Sequence, residues 1–168
     1  PSGGLSSTVI SNPTLTLNIA PGATDPDTLF YVVTTTLNGC TTSDSVQVVL
    51  SPVPTAAAGN DVLFCSGQTV SIGTSSVSGY AYSWSPSSGL SSASSAQPNL
   101  TLTNGTLVFD TVTYVMTVNW FGCIDRDTIE AVVKPLPVSE AGSNTILCDG
   151  DTLTLGVAST VGYTYVWS

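Results

Sequence analysis

Residues 110–134 read DTVTYVMTVNWFGCIDRDTIEAVVK, and residues 27–51 read DTLFYVVTTTLNGCTTSDSVQVVLS. In the first stretch polar and apolar residues alternate from Thr111 to Asn119 and again from Ile124 to Val133. A period of two belongs to a strand with one buried face, so this stretch predicts a β-hairpin turning at Trp120-Phe121-Gly122-Cys123. The second stretch writes the same hairpin again. Landmarks shared by the two stand 83 positions apart: Asp27 and Asp110, Tyr31 and Tyr114, Cys40 and Cys123, Asp44 and Asp127.

The same spacing matches residues 27–85 to residues 110–168 without a gap. It carries Pro52/Pro135, Pro54/Pro137, Ala58-Gly59/Ala141-Gly142, Cys65/Cys148, Gly67/Gly150, Gly79-Tyr80/Gly162-Tyr163 and Trp84/Trp167. Roughly four residues in ten are identical, the mark of an internal repeat. Upstream of Asp27 the spacing becomes 85, with Pro1, Leu5 and Pro13 answering to Pro86, Leu90 and Pro98. The two-residue difference falls in the loop at residues 20–24, where insertions are tolerated.

Pro52-Val53-Pro54 and Pro135-Leu136-Pro137 end ladders and stiffen linkers. They divide the chain into the C-terminal part of one repeat (1–54), a complete repeat (55–137) and the N-terminal part of the next (138–168). The closing Tyr165-Val166-Trp167-Ser168 and the opening Pro1-Ser2-Gly3-Gly4-Leu5 correspond to one uninterrupted run, residues 82–90, inside the central unit. The expectation is a window cut from a longer array, or copies that complete each other end to end.

Within the central unit the alternation predicts strands near residues 57–63, 68–74, 79–85, 99–103, 112–119 and 124–133, and no stretch sustains a 3.6-residue period. Six or seven strands in a unit of this size predict a two-sheet antiparallel sandwich. Tyr80, Tyr82 and Trp84 share one strand face, as do Tyr163, Tyr165 and Trp167. A tryptophan in mid-sandwich plugs the space between sheets, and Tyr31 and Tyr114 are expected to be buried with hydrogen-bonded hydroxyls.

Composition narrows the function. The 168 residues are 42% hydrophobic and only 8% charged, with a net charge of -9 and no histidine. Two basic residues, Arg126 and Lys134, leave no cationic footprint for nucleic acid or anionic lipid. Without histidine no Ser-His-Asp or Cys-His arrangement can be assembled, so the chain is read as no enzyme. No apolar run approaches the roughly 18 residues that cross a bilayer, so no membrane insertion is expected within this window. An acidic, Thr/Ser-rich chain with an even cysteine count is expected outside the cytoplasm, extracellular or at the cell surface.

The order Ala-Gly-x-Asp/Asn, Cys-x-Gly-x-Thr-Val/Leu, Gly-Tyr-x-Tyr-x-Trp-Ser, Asp-Thr-x-x-Tyr, Gly-Cys-x-x-x-Asp-Ser/Thr and Pro-x-Pro resembles the PKD-like and Ig-like tandem repeats of large surface and secreted proteins of the Bacteroidota. The resemblance covers essentially the whole chain. It implies an all-β fold of tandem immunoglobulin-like (PKD-like) antiparallel β-sandwiches in a repeat array, used as a stalk, adhesin or filament.

The cysteines fall two per unit, Cys65 and Cys148 before a strand and Cys40 and Cys123 after a hairpin turn. They lack the clustering of a zinc site and are disulfide candidates. Pairing within a unit would join Cys65 to Cys123, and Cys148 to the Cys40 position of the following copy. If those positions lie at opposite poles, bonds between units or between molecules take its place, and free thiols are the remaining alternative. Asp-Ser/Thr-aliphatic triplets put Thr28, Ser45, Thr111, Thr128 and Thr152 in what looks like the O-glycosylation sequon of the same bacterial group; the plain alternative is Asp closing a turn and Thr opening a strand. Asn99-Leu100-Thr101 and Asn104-Gly105-Thr106 fit the Asn-type sequon, which bacteria seldom use. No cofactor is expected; calcium is the one candidate, at Asp125-x-Asp127 or Asp149-x-Asp151. Trp120 and Phe121 at a hairpin tip are candidates for contact between units.

These features predict a non-catalytic structural repeat of an extracellular filament or surface stalk, whose partners are copies of itself or adjoining repeats. The competing expectation is an adhesion module that recognises glycans or proteins through loops at a sandwich pole.

Overall fold

The structure, a computed structural model, describes residues 3–20 and 25–168. Pro1 and most of the loop carrying the two-residue difference lie outside the described residues. Eight strands follow one another: β1 (Asp27–Leu37), β2 (Cys40–Leu50), β3 (Val62–Cys65), β4 (Thr69–Ser71), β5 (Ala81–Ser85), β6 (Asn99–Thr101), β7 (Asp110–Trp120) and β8 (Cys123–Lys134). There is no helix among the described residues.

β7 and β8 form the hairpin that the alternation predicts, with Trp120 opposite Cys123. Phe121 and Gly122 between them have φ of 48° and 87°, and Asn38 and Gly39 in the β1–β2 turn have 50° and 86°. Two successive positive φ values are those of the tight turn whose twist matches its strands, and Gly takes the second place because it alone carries no Cβ penalty there.

In the four-stranded sheet the order is β3-β8-β7-β5, and β4 and β6 pair separately. The apolar faces of these two sheets meet over Phe64, Ile72, Trp84, Leu100, Tyr114, Met116, Val118, Ile129, Ala131 and Val133, making an all-β sandwich. Trp84 fills the middle of it, 4% exposed, and its indole Nε1 donates to the Ser95 carbonyl at 2.8 Å. Tyr80 and Tyr82 pack against the same core.

Two expectations are corrected. The sandwich is not wholly antiparallel, because β3 runs parallel to β8. Nor does the first strand of the unit span residues 57–63. The ladder begins at Val62, and before it the Ala56 and Ala58 N–H groups donate to carboxylate oxygens of Asp125 and Asp127 on β8, each at 2.8 Å. Side-chain acceptors here do what a neighbouring strand's carbonyls would do.

β1 and β2 pair residue for residue from Asp27 opposite Leu50 to Leu37 opposite Cys40. Residues 138–168 form no strand.

Candidate functional site

The first segment keeps the local geometry of the central unit. Tyr31 donates its hydroxyl hydrogen to the Gly3 carbonyl at 2.9 Å, as Tyr114 does to Ser88 at 2.6 Å. The isolated bridge Leu5–Leu15 repeats Leu90–Leu100. The hairpin β1–β2, however, has no strand along either side among the described residues, whereas β7–β8 lies between β5 and β3. Consequently Val33 and Val46 are half exposed where their counterparts Met116 and Ile129 are buried, and Leu37 stands out at the hairpin tip.

Between residues 5–15 and this hairpin runs a groove of about 710 Å³, whose lining includes Thr8, Ile10, Ser11, Val33 and Val46. The corresponding positions of the central unit enclose Trp84. There the Trp84 backbone N–H donates to Ala93 and its indole to Ser95, each at 2.8 Å, and Met116 is its partner across β7. The counterparts of those three residues are Thr8, Ile10 and Val33.

Residues 138–168 have the complementary form. Gly156 N–H donates to the Ala141 carbonyl at 3.0 Å, as Gly73 does to Ala58 at 2.8 Å. The Tyr165 hydroxyl accepts the Thr160 N–H at 2.8 Å, as Tyr82 accepts that of Val77 at 2.8 Å. The ring pairs Tyr163–Tyr165 and Tyr80–Tyr82 share a 6.3 Å separation. A Cβ on Gly156 would meet the Trp167 ring at 2.9 Å, as one on Gly73 would meet Trp84 at 3.1 Å, so each glycine seats its indole. Trp167 is nevertheless 60% exposed, and Leu147 and Leu155 are exposed where Phe64 and Ile72 are buried.

Polar groups follow the same division. Asp127 Oδ1 accepts the Thr128 N–H at 2.8 Å and Oδ2 that of Ala58. Asp44 Oδ1 likewise accepts the Ser45 N–H at 2.8 Å, but no counterpart of Ala58 reaches it among the described residues. Tyr114 is fully buried, and the loss of solvent pushes its hydroxyl pKa above the ordinary 10.0.

Several sequence expectations are redrawn by this geometry. Cys65 lies opposite Lys134 at one end of β8, and Cys123 begins the other end. Eleven residue-to-residue steps of strand separate them, about 35 Å, so pairing within the unit is excluded. All four cysteines are thiols in the structure, Cys40 and Cys148 exposed, Cys65 and Cys123 half-buried. Trp120 is not an exposed tip residue: it is buried against Tyr80, ring centroids 5.3 Å apart, while the Phe121 ring lies tilted beside it at 5.8 Å and remains 69% exposed. Thr28, Ser45, Thr111, Thr128 and Thr152 are all exposed. Asp44 and Asp127 close no turn, since each lies within a strand. Asp125 and Asp127 direct oxygens to backbone N–H groups, and no cluster of three or more His, Cys, Asp or Glu is present among the described residues to hold calcium.

Asn104 was legible only as a sequon, yet it is buried and structural. Its Nδ2 donates to Val108 at 2.7 Å and Val133 at 2.9 Å, and its Oδ1 accepts from the Thr106 N–H and hydroxyl. The Asn-Gly-Thr run between two strands was the available signal for this turn. No family model matches the chain, and no curated protein matches it.

Proposed function

We propose that this chain is a non-catalytic structural repeat of an extracellular filament or surface stalk, built end to end from Ig-like units of the PKD-like kind it resembles. Residues 138–168 of one copy, or of an adjoining repeat, lie on residues 1–54 of the next and complete a unit equivalent to residues 55–137. One observation carries this reading: the groove beside β1–β2 is lined by the counterparts of the residues around Trp84, and Trp167, the counterpart of Trp84, is exposed elsewhere on the same chain. One chain thus carries a socket and its plug at separate sites.

Further support comes from chemistry. A chain with no histidine and 8% charged residues has little from which to build a catalytic centre, and the exposed Asp-Thr and Asp-Ser positions offer glycosylation a way to solvate the surface. The adhesion reading draws on Leu107, Val108 and Phe109, an exposed apolar run at the pole where β7 begins. In an array that pole faces the following unit, which favours covering by a neighbour. Electron microscopy of the purified protein separates the two: unbranched filaments with a period of one or two units support the structural reading, and dispersed beads at high protein concentration contradict it.

A further inference from the structure

We infer that the array is stapled across its junctions by disulfides, Cys123 to Cys148 of the neighbouring copy and Cys40 to that copy's Cys65. The inference rests on the end-to-end reading above and adds a covalent site to it. It begins from the Cys123 sulfur, which sits 3.7 Å from the carbonyl oxygen of Ser51, the residue that follows β2. Cys123 belongs to the central unit and Ser51 to the preceding one, so this contact spans the junction.

Ser51 is the counterpart of Lys134. In the central unit Cys65 lies directly opposite Lys134 in the parallel β3–β8 pair, and Ser66 N–H donates to the Lys134 carbonyl at 2.9 Å. When residues 138–168 of a second copy lie on β2 as β3 lies on β8, Cys148 comes opposite Ser51 and Asp149 N–H takes its carbonyl. Two sulfurs then converge on one carbonyl from either side of the junction, and closing the bond requires their Cα atoms to lie about 4.4–6.8 Å apart. At its far end the completed unit presents its hairpin turn, carrying Cys40, to Cys65 and Lys134 of the second copy, repeating the same relation. Each cysteine of the chain acquires one partner, and every partner lies in a different unit.

The chemistry is thiol–disulfide exchange with a low-molecular-weight disulfide such as oxidised glutathione. One cysteine thiolate attacks a glutathione sulfur and releases the first glutathione thiolate; the second cysteine thiolate then displaces the other. One S–S bond forms between units and one breaks in glutathione. The two cysteine protons pass to the two glutathione thiolates, so two cysteines are oxidised while one glutathione disulfide is reduced.

The test uses the full chain, unlabelled and ¹⁵N-labelled in equal amounts, unfolded together, refolded and concentrated in a glutathione redox buffer. Native light scattering, non-reducing electrophoresis and peptide mapping follow. The expected result is a denaturant-resistant ladder that reductant abolishes, with Cys123–Cys148 and Cys40–Cys65 peptides joining light to heavy chains in the statistical share. Combining Cys65→Ser with Cys123→Ser should remove the ladder while native scattering persists. Filaments whose four thiols all remain alkylatable after oxidation overturn the staple alone. Absence of any association by native scattering overturns the end-to-end reading and the staple with it. Linkage of Cys65 to Cys123 within one chain overturns the assignment of partners.

Discussion

Trp84 and Trp167 occupy the same place in the repeat and differ in surroundings, so their truncation to alanine should have opposite signatures. Trp84 is 4% exposed, and removing it deletes a ring enclosed on all sides and strands the Ser95 carbonyl. Aromatic-to-alanine changes in such cores cost about 3–5 kcal/mol. Trp84→Ala should therefore lower the stability of the central sandwich by that amount in dilute solution, read by urea denaturation followed by circular dichroism. Trp167 is 60% exposed in the single chain, so Trp167→Ala should change the same unfolding curve by less than about 0.5 kcal/mol. Its effect should appear on association instead. Scaling the core value by the share of the ring still to be covered leaves about 2–3 kcal/mol, which is roughly a 30- to 150-fold weaker affinity between copies. Sedimentation velocity over a dilution series measures that shift. Equal unfolding costs for the two variants, or wild-type association of Trp167→Ala, would show that Trp167 is not the plug of a neighbouring unit.

Other consequences concern single groups. Because burial raises the Tyr114 pKa, the unfolded chain releases its phenolic proton at a lower pH than the folded one; stability should fall as pH rises through about 10, and Tyr114→Phe, at a cost of about 1 kcal/mol near neutrality, should remove part of that fall in pH-dependent urea titrations. Asp127→Ala strands the Ala58 and Thr128 N–H groups and should lower stability by about 1.5–3 kcal/mol, whereas Asp44→Ala should leave the dilute chain nearly unchanged and weaken association, as denaturation and sedimentation of the two variants would show. Asn104→Ala leaves two carbonyls without their donor and should cost about 2–3 kcal/mol in the same denaturation assay.

Much of the fold was legible because alternation is a strong signal where one sheet face is buried and the other solvated, as in β7 and β8. The duplicated spacing then carried that reading to β1 and β2. Residues 56–58 defeated it, because their apolar run looks like a strand while their hydrogen bonds go to the carboxylates of Asp125 and Asp127. An aspartate in an alternating run carries no local signal that its carboxylate will accept backbone N–H groups from residues 69 positions away. Trp120 is hidden for a related reason: a hairpin-tip position suggests exposure, but Tyr80, just before β5, packs against the indole. The cysteine pattern left open whether the two thiols of a unit lie at one pole or at opposite poles, because that depends on the parallel register of β3 with β8 and so on topology. Pairing the groove with Trp167 required the coordinates of both partial units, although the repeat had already suggested that each lacks what the other carries.

Hydrogen–deuterium exchange of the intact chain at low and high concentration, resolved to residues 138–168, decides whether the two partial units complete each other. If they do, the amides of Ala141 and of residues 145–148 and 164–168 exchange freely when dilute. Once copies assemble, they should slow to rates comparable with their counterparts at Ala58, residues 62–65 and residues 81–85. Rapid exchange of those amides at every concentration, or full protection in a monodisperse single chain, would contradict that completion.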